Sequence, residues 1–312
     1  MKYALKRISL GLPTLLAMFT AIFLIIRVVP GDAAAVILGD QASAGALDAL
    51  RTELGLNKPV SEQYLAFLGG LLQGDLGTSL LTKRPVLEEA LRVLPNTLEL
   101  AAASILVGLA LGMPLGIYAA VNRNAWPDYL GRCFSLIGLS LPAFVSGILL
   151  LLAFAIQLRW FPVIGASQGG SALQRLQAVA LPALNLGVIM SAYVARVTRS
   201  SMLSTLGEDY VRTARAKGLG SLTLVMRHVL KNSLMPIITV VGLYFGTLIG
   251  NSVLTEIVFN RPGLGRLILG ALNTRDYTML QGLMIIFASF VVLANLATDL
   301  VYAAVDPRIR TA

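Results

Sequence analysis

The chain has 312 residues, of which 56% are hydrophobic and 13% charged, with a formal net charge of +9 and a mean hydropathy of +0.76. A soluble domain carries about 25% charged residues and hides its apolar ones in a core, so this much apolar surface requires lipid as the solvent for a large part of the chain. The basic excess does not mark a nucleic-acid binder, because Lys and Arg sit at the ends of apolar segments and not on one basic face interleaved with aromatics. The single cysteine, Cys133, excludes an intrachain disulfide and any Cys-based metal cluster.

In chain order, MKYALKR precedes an apolar run from Ile8 to Ile26. At about 19 residues the run is longer than a signal-peptide core. It ends in Arg27 and a Pro-Gly-Asp turn, with no small-x-small cleavage site, and reads as a retained first span. Five further stretches approach the ~20 residues needed to cross the hydrocarbon. With the first they are 8–28, 98–121, 133–157, 178–197, 234–255 and 280–303. The expected fold is therefore all-α, with six transmembrane helices. The fourth stretch is the weakest, interrupted by Pro182, Asn185 and Ser191. Abundant Gly, Ala and Ser allow close helix approach in lipid, and Pro114, Pro142 and Pro182 are tolerated where neighbouring helices satisfy the freed carbonyls. The chain divides into 1–97, a first span with a long outer loop; 98–304, a five-span core with a cytoplasmic loop at 196–232; and a tail, 305–312.

Lys and Arg placement sets the orientation. With the N-terminus inside, the inner segments 1–7, 122–132, 196–232 and 304–312 hold 14 basic residues in 64 positions, against 10 in 113 for the outer segments. Both termini are then cytoplasmic. The outer loop 29–97 collects Asp32, Asp40, Asp48, Glu53, Glu62, Asp75, Glu88 and Glu89. Within it, 61–73 has apolar residues at helical spacing after a Ser61 cap and Glu62 in the first turn. This amphipathic helix either receives a partner or decorates the surface. Leu264, Leu267, Ile268, Ala271 and Leu272 after Pro262-Gly263 form a second, lying in the outer interface or packed on the bundle.

The loop 196–232 is long, basic and helical in pattern. Ser204 or Thr205 can cap a helix with Glu208 and Asp209 in its first turn. Arg212, Thr213, Ala214, Arg215, Ala216, Lys217 and Gly218 follow. Ala214 and Ala216 are small enough to let a partner surface come close, and Gly218 can close the helix in a left-handed cap. A second helix starts near Leu222 and leads into the fifth stretch.

This loop resembles the EAA loop of ABC-importer permeases, a small triplet followed after three residues by glycine. Arg212-Thr213-Ala214 takes the triplet position and Gly218 the glycine. Arg212 and Thr213 replace the family's Glu and first Ala, and the Pro arrives late, at Met235-Pro236. Those departures are similar to the dipeptide and oligopeptide branch, as is the downstream Arg227-His228-Val229-Leu230-Lys231-Asn232. VVPGDAA after the first span, LGLNKPVSEQYLAFLGGLLQGDLGTSL in the outer loop, RPVLEEALRVLPNTLEL, LSLPAFVSGILL, LTEIVFNRPGLGRLILGA and AAVDPRIR extend the resemblance over most of the chain. The long first outer loop resembles the first of the two permease subunits in such systems. The resemblance implies an inner-membrane permease subunit that moves di- or oligopeptides through a path shared with a second homologous permease subunit. It implies two cytoplasmic ATPase subunits docked on residues 212–218 and an extracytoplasmic solute-binding protein, with no cofactor and no catalysis by this chain.

No G-x-x-x-x-G-K-[ST] motif is present to cradle a nucleotide, and His228 has no partner set for metal or base chemistry. Ser140, Ser146, Asn185, Ser191, Asn251, Ser252 and Asn295 are polar positions inside spans. They either face a translocation path or bond a neighbouring helix or their own backbone. Glu99 and Asp299 lie near span ends, where interfacial pairing is the simpler reading. The rival class, an ion-coupled secondary transporter, requires mid-membrane carboxylates and an internal repeat; neither is evident in the sequence. The solute is not legible.

Overall fold

The computed structural model describes residues 2–28, 42–53, 55–162 and 171–305. The Pro30-Gly31-Asp32 turn and the tail beyond Val305 lie outside them. Among the described residues eleven helices follow in order. They are α1 (Lys2–Val28), α2 (Ala44–Glu53), α3 (Val60–Leu72), α4 (Val86–Val121), α5 (Trp126–Ser140), α6 (Ala143–Gln157), α7 (Ala172–Leu206), α8 (Asp209–Ala216), α9 (Ser221–Val258), α10 (Leu264–Asn273) and α11 (Tyr277–Val305). Among the described residues there is no strand, only an isolated bridge between Thr78 and Pro85. The all-α expectation holds.

Among the described residues five helices, α1, α4, α7, α9 and α11, are long and apolar enough to cross a membrane; α5 and α6 pass that test only as a pair bent by 103°, the geometry of a broken span or a re-entrant loop. The third predicted stretch is thus not one continuous helix. Leu141 is extended (φ −88°, ψ 126°), because the ring of Pro142 crowds a helical preceding residue, and Pro142 (φ −59°, ψ 139°) opens a new helix. That helix ends in a π-helical stretch, Leu151–Gln157.

Two boundaries differ from the sequence reading. α4 starts at Val86, well before 98. The charges that mark 86–97 as loop are accommodated locally: Glu89 is buried and pairs with Arg84 at 3.1 Å and Arg92 at 2.7 Å. At α3 the N-cap is Pro59, without a side-chain cap, and Ser61 lies inside the helix.

The described residues form two compact units, one from 96–261 and 293–305 with the first turns of α1, the other from 8–95 and 262–292. The first is organised around α7. In its most apolar window 72% of α7 is buried, against 17–33% for the other four long spans. Its hydropathy is lower than that of α1, α4 and α11 and equals that of α9; a helix that faces protein has no need to be uniformly apolar. Leu186, Met190, Val194 and Met202 of α7 pack with Leu100 of α4 and Leu248 of α9. Close approach of α4 and α7 depends on Gly108, Gly112 and Gly116, spaced four apart. A Cβ on Gly112 would stand 2.6 Å from the Ser191 carbonyl oxygen, and one on Gly116 2.6 Å from that of Ala195. Backbone cannot yield as a flexible side chain does. Gly112→Leu is therefore expected to abolish recovery of folded protein in detergent, read by size-exclusion chromatography, while Gly220→Ala, where nothing lies within 4 Å of a Cβ, leaves recovery unchanged.

The second unit has its own core of Val86, Ala90, Leu264, Ala271, Met279 and Leu283. Here α10 buries Leu264 and Ala271 and leaves Leu272 half exposed, so it packs on helices of this unit. The buried Asp276 caps α11: its Oδ1 accepts from the Met279 N–H at 3.0 Å, and its Oδ2 accepts from the Ser79 hydroxyl at 2.6 Å. α3 packs on α1 through Phe23, Tyr64 and Phe67, with ring centroids 5.2 and 5.3 Å from Phe23.

Candidate coupling site

α7 does not stop at Ser204 or Thr205 but runs to Leu206. Thr205 donates to the Ser201 carbonyl at 3.0 Å and lies 3.0 Å from the Ser233 hydroxyl, so it ties α7 to α9 and caps nothing. Glu208, extended, is the N-cap of α8, with no side-chain capping bond, and Asp209 opens the first turn. α8 has two sharply different faces. Val211 and Ala214 are buried among Met202, Leu224, Val225 and Val229. Arg212, Thr213, Arg215, Ala216 and Lys217 are exposed. Asn232 donates to the Tyr210 hydroxyl at 2.9 Å, a further tie to α9.

The helix ends as expected. Gly218 has φ +79°, its N–H donates to the Arg215 carbonyl at 3.0 Å, and the Leu219 N–H donates to the Ala214 carbonyl at 3.4 Å. These two bonds are a Schellman cap, which needs a residue comfortable in the left-handed region. Nothing of this chain lies within 4 Å of a Cβ at 218, so the tip is open.

Ala214 departs from the sequence expectation: it faces this chain's own core, and the surface left for a partner is Arg212, Thr213, Arg215, Ala216, Lys217 and Gly218. The phase of α8 is set by α9, whose π-helical stretch Leu224–Leu230 supplies Leu224, Val225, Val229 and Leu230 to the same core. Ala214→Asp is accordingly expected to lower the yield of folded chain by burying an unpaired carboxylate. Ala216→Asp should leave the fold intact. The check is chromatographic recovery of both variants.

Above this loop lies a charge cluster that the sequence reading missed. Asp128, at the start of α5, has no exposed side-chain surface. It accepts from Arg132 Nη2 at 2.7 Å and Nε at 3.2 Å, from Arg199 Nη2 at 2.8 Å and Nε, and from the Asn124 N–H at 3.0 Å. Every carboxylate lone pair is used, which is what permits a buried charge. The i,i+4 spacing of Asp128 and Arg132 is a sequence signal; the Arg199 partner, 71 residues away, is not. A second missed group is Glu256, fully buried in α9, whose Oε1 accepts from the Thr97 hydroxyl at 2.7 Å. Nearby, Arg261 pairs with Glu99, the interfacial pairing expected for that glutamate.

The polar span positions resolve unevenly. Ser146 donates to Asn185 Oδ1 at 2.7 Å, and Asn185 Nδ2 donates to the Ala143 carbonyl at 2.9 Å, a closed set that joins α6 to α7. Ser140 bonds the Leu136 carbonyl, Ser191 that of Val188 and Ser252 that of Ile249. Asn251 is half-buried and Asn295 exposed.

Comparison with known proteins places this arrangement. Residues 112–311 match the family of binding-protein-dependent transport system inner membrane components, and residues 1–101 match its N-terminal membrane component. The chain is 43% identical over 311 residues to the glutathione transport system permease protein GsiC of Pectobacterium atrosepticum, and 43% to that of Salmonella typhimurium, with 99% of each chain covered. The fold is similar to that of the MetNI methionine ABC transporter in an inward-facing conformation, with a TM-score of 0.58 at 22% identity over 70% of this chain and 97% of that one. The chain belongs to the binding-protein-dependent transport system inner membrane components: it is a multi-pass permease subunit of an ABC importer.

Proposed function

We propose that this permease carries small peptides of the glutathione type. The observation that carries the reading is the end-to-end similarity to GsiC permeases, at 40–43% identity. In this reading the subunit pairs with a second, homologous permease subunit to enclose the path. Two cytoplasmic ATPase subunits dock on the exposed face of α8 and the Gly218 tip. ATP-driven closure of the ATPases moves α8, and the rigid α7 and α9 pass that motion to the path. An extracytoplasmic binding protein delivers solute to the outer loop of the 1–97 segment, while 98–304 forms the conducting core. The test is uptake of labelled glutathione by a strain lacking this chain, with and without its restoration. Uptake of a dipeptide panel but not glutathione would move the substrate to the dipeptide class; uptake of neither would remove the peptide reading.

Both termini and α8 are assigned to the cytoplasm. Cysteines placed at the exposed Ser43 and Ser204 are expected to react with impermeant maleimide from opposite faces. Ser204 is a better reporter than Thr205, which is half-buried and hydrogen-bonded. Labelling of both from one side would contradict the assignment. Glu62 is exposed on α3, and Glu62→Lys is expected to weaken binding-protein docking and uptake while the assembled complex is retained.

A further inference from the structure

The second unit contains a cavity of about 710 Å3, lined by residues within 26–27, 51–80 and 277–285. That size falls within the roughly 300–1,000 Å3 of small-molecule sites. Its charged and amide lining is Arg27, Arg51, Lys58, Gln63 and Gln281, with Asp75, beside the hydroxyls of Tyr277 and Thr278. Asp75 is committed to its own turn, accepting from the Gly77 N–H at 2.8 Å.

Arg27 is held in a way that keeps its charge available. Its Nε donates to Gln63 Oε1 at 3.0 Å, its Nη1 donates to Gln281 Oε1 at 3.2 Å, and its guanidinium lies 4.5 Å from the Phe23 ring centroid. Both acceptors are neutral amides. The orientation of Gln63 is fixed from behind, because its Nε2 donates to the Lys58 carbonyl at 2.9 Å and the Leu56 carbonyl at 3.4 Å. Among the described residues neither Arg27 nor Lys58 has a carboxylate within ion-pair distance, whereas Arg51 pairs with Asp48 at 2.8 Å. A guanidinium oriented by neutral acceptors retains donors and net charge for an oxyanion. A cation that served only to anchor the end of α1 would need no such orienting network.

We propose that this cavity binds the oxyanion end of a small ligand, a carboxylate or a phosphate, with Arg27 as the anchor and Lys58 as the second cation. The choice of probe rests on the glutathione-type reading above; the site itself does not. The experiment is calorimetric titration of the purified assembled transporter in phosphatidylcholine nanodiscs with glutathione, and in parallel with glutathione diethyl ester, which lacks free carboxylates. A carboxylate site predicts binding of glutathione, little binding of the ester, and an affinity about tenfold or more weaker in Arg27→Gln and in Lys58→Gln. A phosphate source predicts instead that phosphatidylglycerol co-purifies with the wild-type chain and is lost from both variants. Either result supports the oxyanion site. Lys58→Gln keeps the test open if Arg27→Gln does not assemble. The inference is overturned if neither glutathione nor phosphatidylglycerol discriminates the wild type from the two variants. Absence of glutathione uptake with intact, Arg27-dependent anion binding would overturn the substrate reading alone.

Discussion

Gly218→Val is expected to leave the chain inserted and folded while ATPase subunits no longer co-purify with it and transport is lost. The backbone at 218 sits at φ +79°, where a side chain costs roughly 1 kcal/mol and a β-branched one more. Within this chain the new side chain meets nothing, since no atom lies within 4 Å of a Cβ there. The cost therefore falls on the Schellman cap, which releases the Arg215 and Ala214 carbonyls and frays the last turn of α8. That turn carries Arg215, Ala216 and Lys217, the proposed docking surface. Gly220→Ala, with negative φ (−59°) and open space around it, should be close to wild type. Co-purification of the ATPase subunits together with solute uptake reads both variants. Wild-type values for Gly218→Val would remove this loop from the coupling mechanism.

The second large effect is expected at Asp128. Removing it strands Arg199, whose side chain is only 20% exposed, and cuts the tie between the start of α5 and α7. Breaking a buried charge pair from one side is among the most costly single changes. Asp128→Ala is expected to lower the thermal unfolding midpoint in detergent by more than ~5 °C. The double variant Asp128→Ala with Arg199→Met, which removes the stranded charge, should recover most of that loss. Equal losses in the single and double variants would mean that the ion pair contributes nothing beyond packing.

Much of the fold was legible because its determinants are local. Span length and apolar runs mark the helices. The break at Pro142 also has a local cause, its effect on Leu141, although the sequence reading took that proline as tolerated within one stretch. The glycine after RTARAK marks the end of α8. Other features depend on tertiary partners and escaped. The early start of α4 was hidden by Glu88, Glu89 and Arg92, charges that read as loop until Glu89 is seen held by two arginines. α7 looked like the poorest span because it is the most buried one. Ala214 was placed on the outward face because local spacing defines a helix but not its rotation; that is set by Leu224, Val225 and Val229 of α9. The Asp128–Arg199 pair joins residues 71 apart, a separation no local pattern encodes. Ser146 and Asn185 bond each other across α6 and α7, a pairing that no local pattern encodes.

The central claim is that the exposed face of α8 meets an ATPase subunit. The most direct test is site-specific cross-linking from position 216. In a chain carrying Cys133→Ser, to remove the single native thiol, Ala216→Cys labelled with a benzophenone maleimide is expected to cross-link to an ATPase subunit on irradiation, by insertion into a nearby C–H bond, and the cross-link should block uptake. Failure of Ala216→Cys to reach an ATPase subunit in a transporter that takes up solute normally would contradict the assignment of α8 as the coupling element.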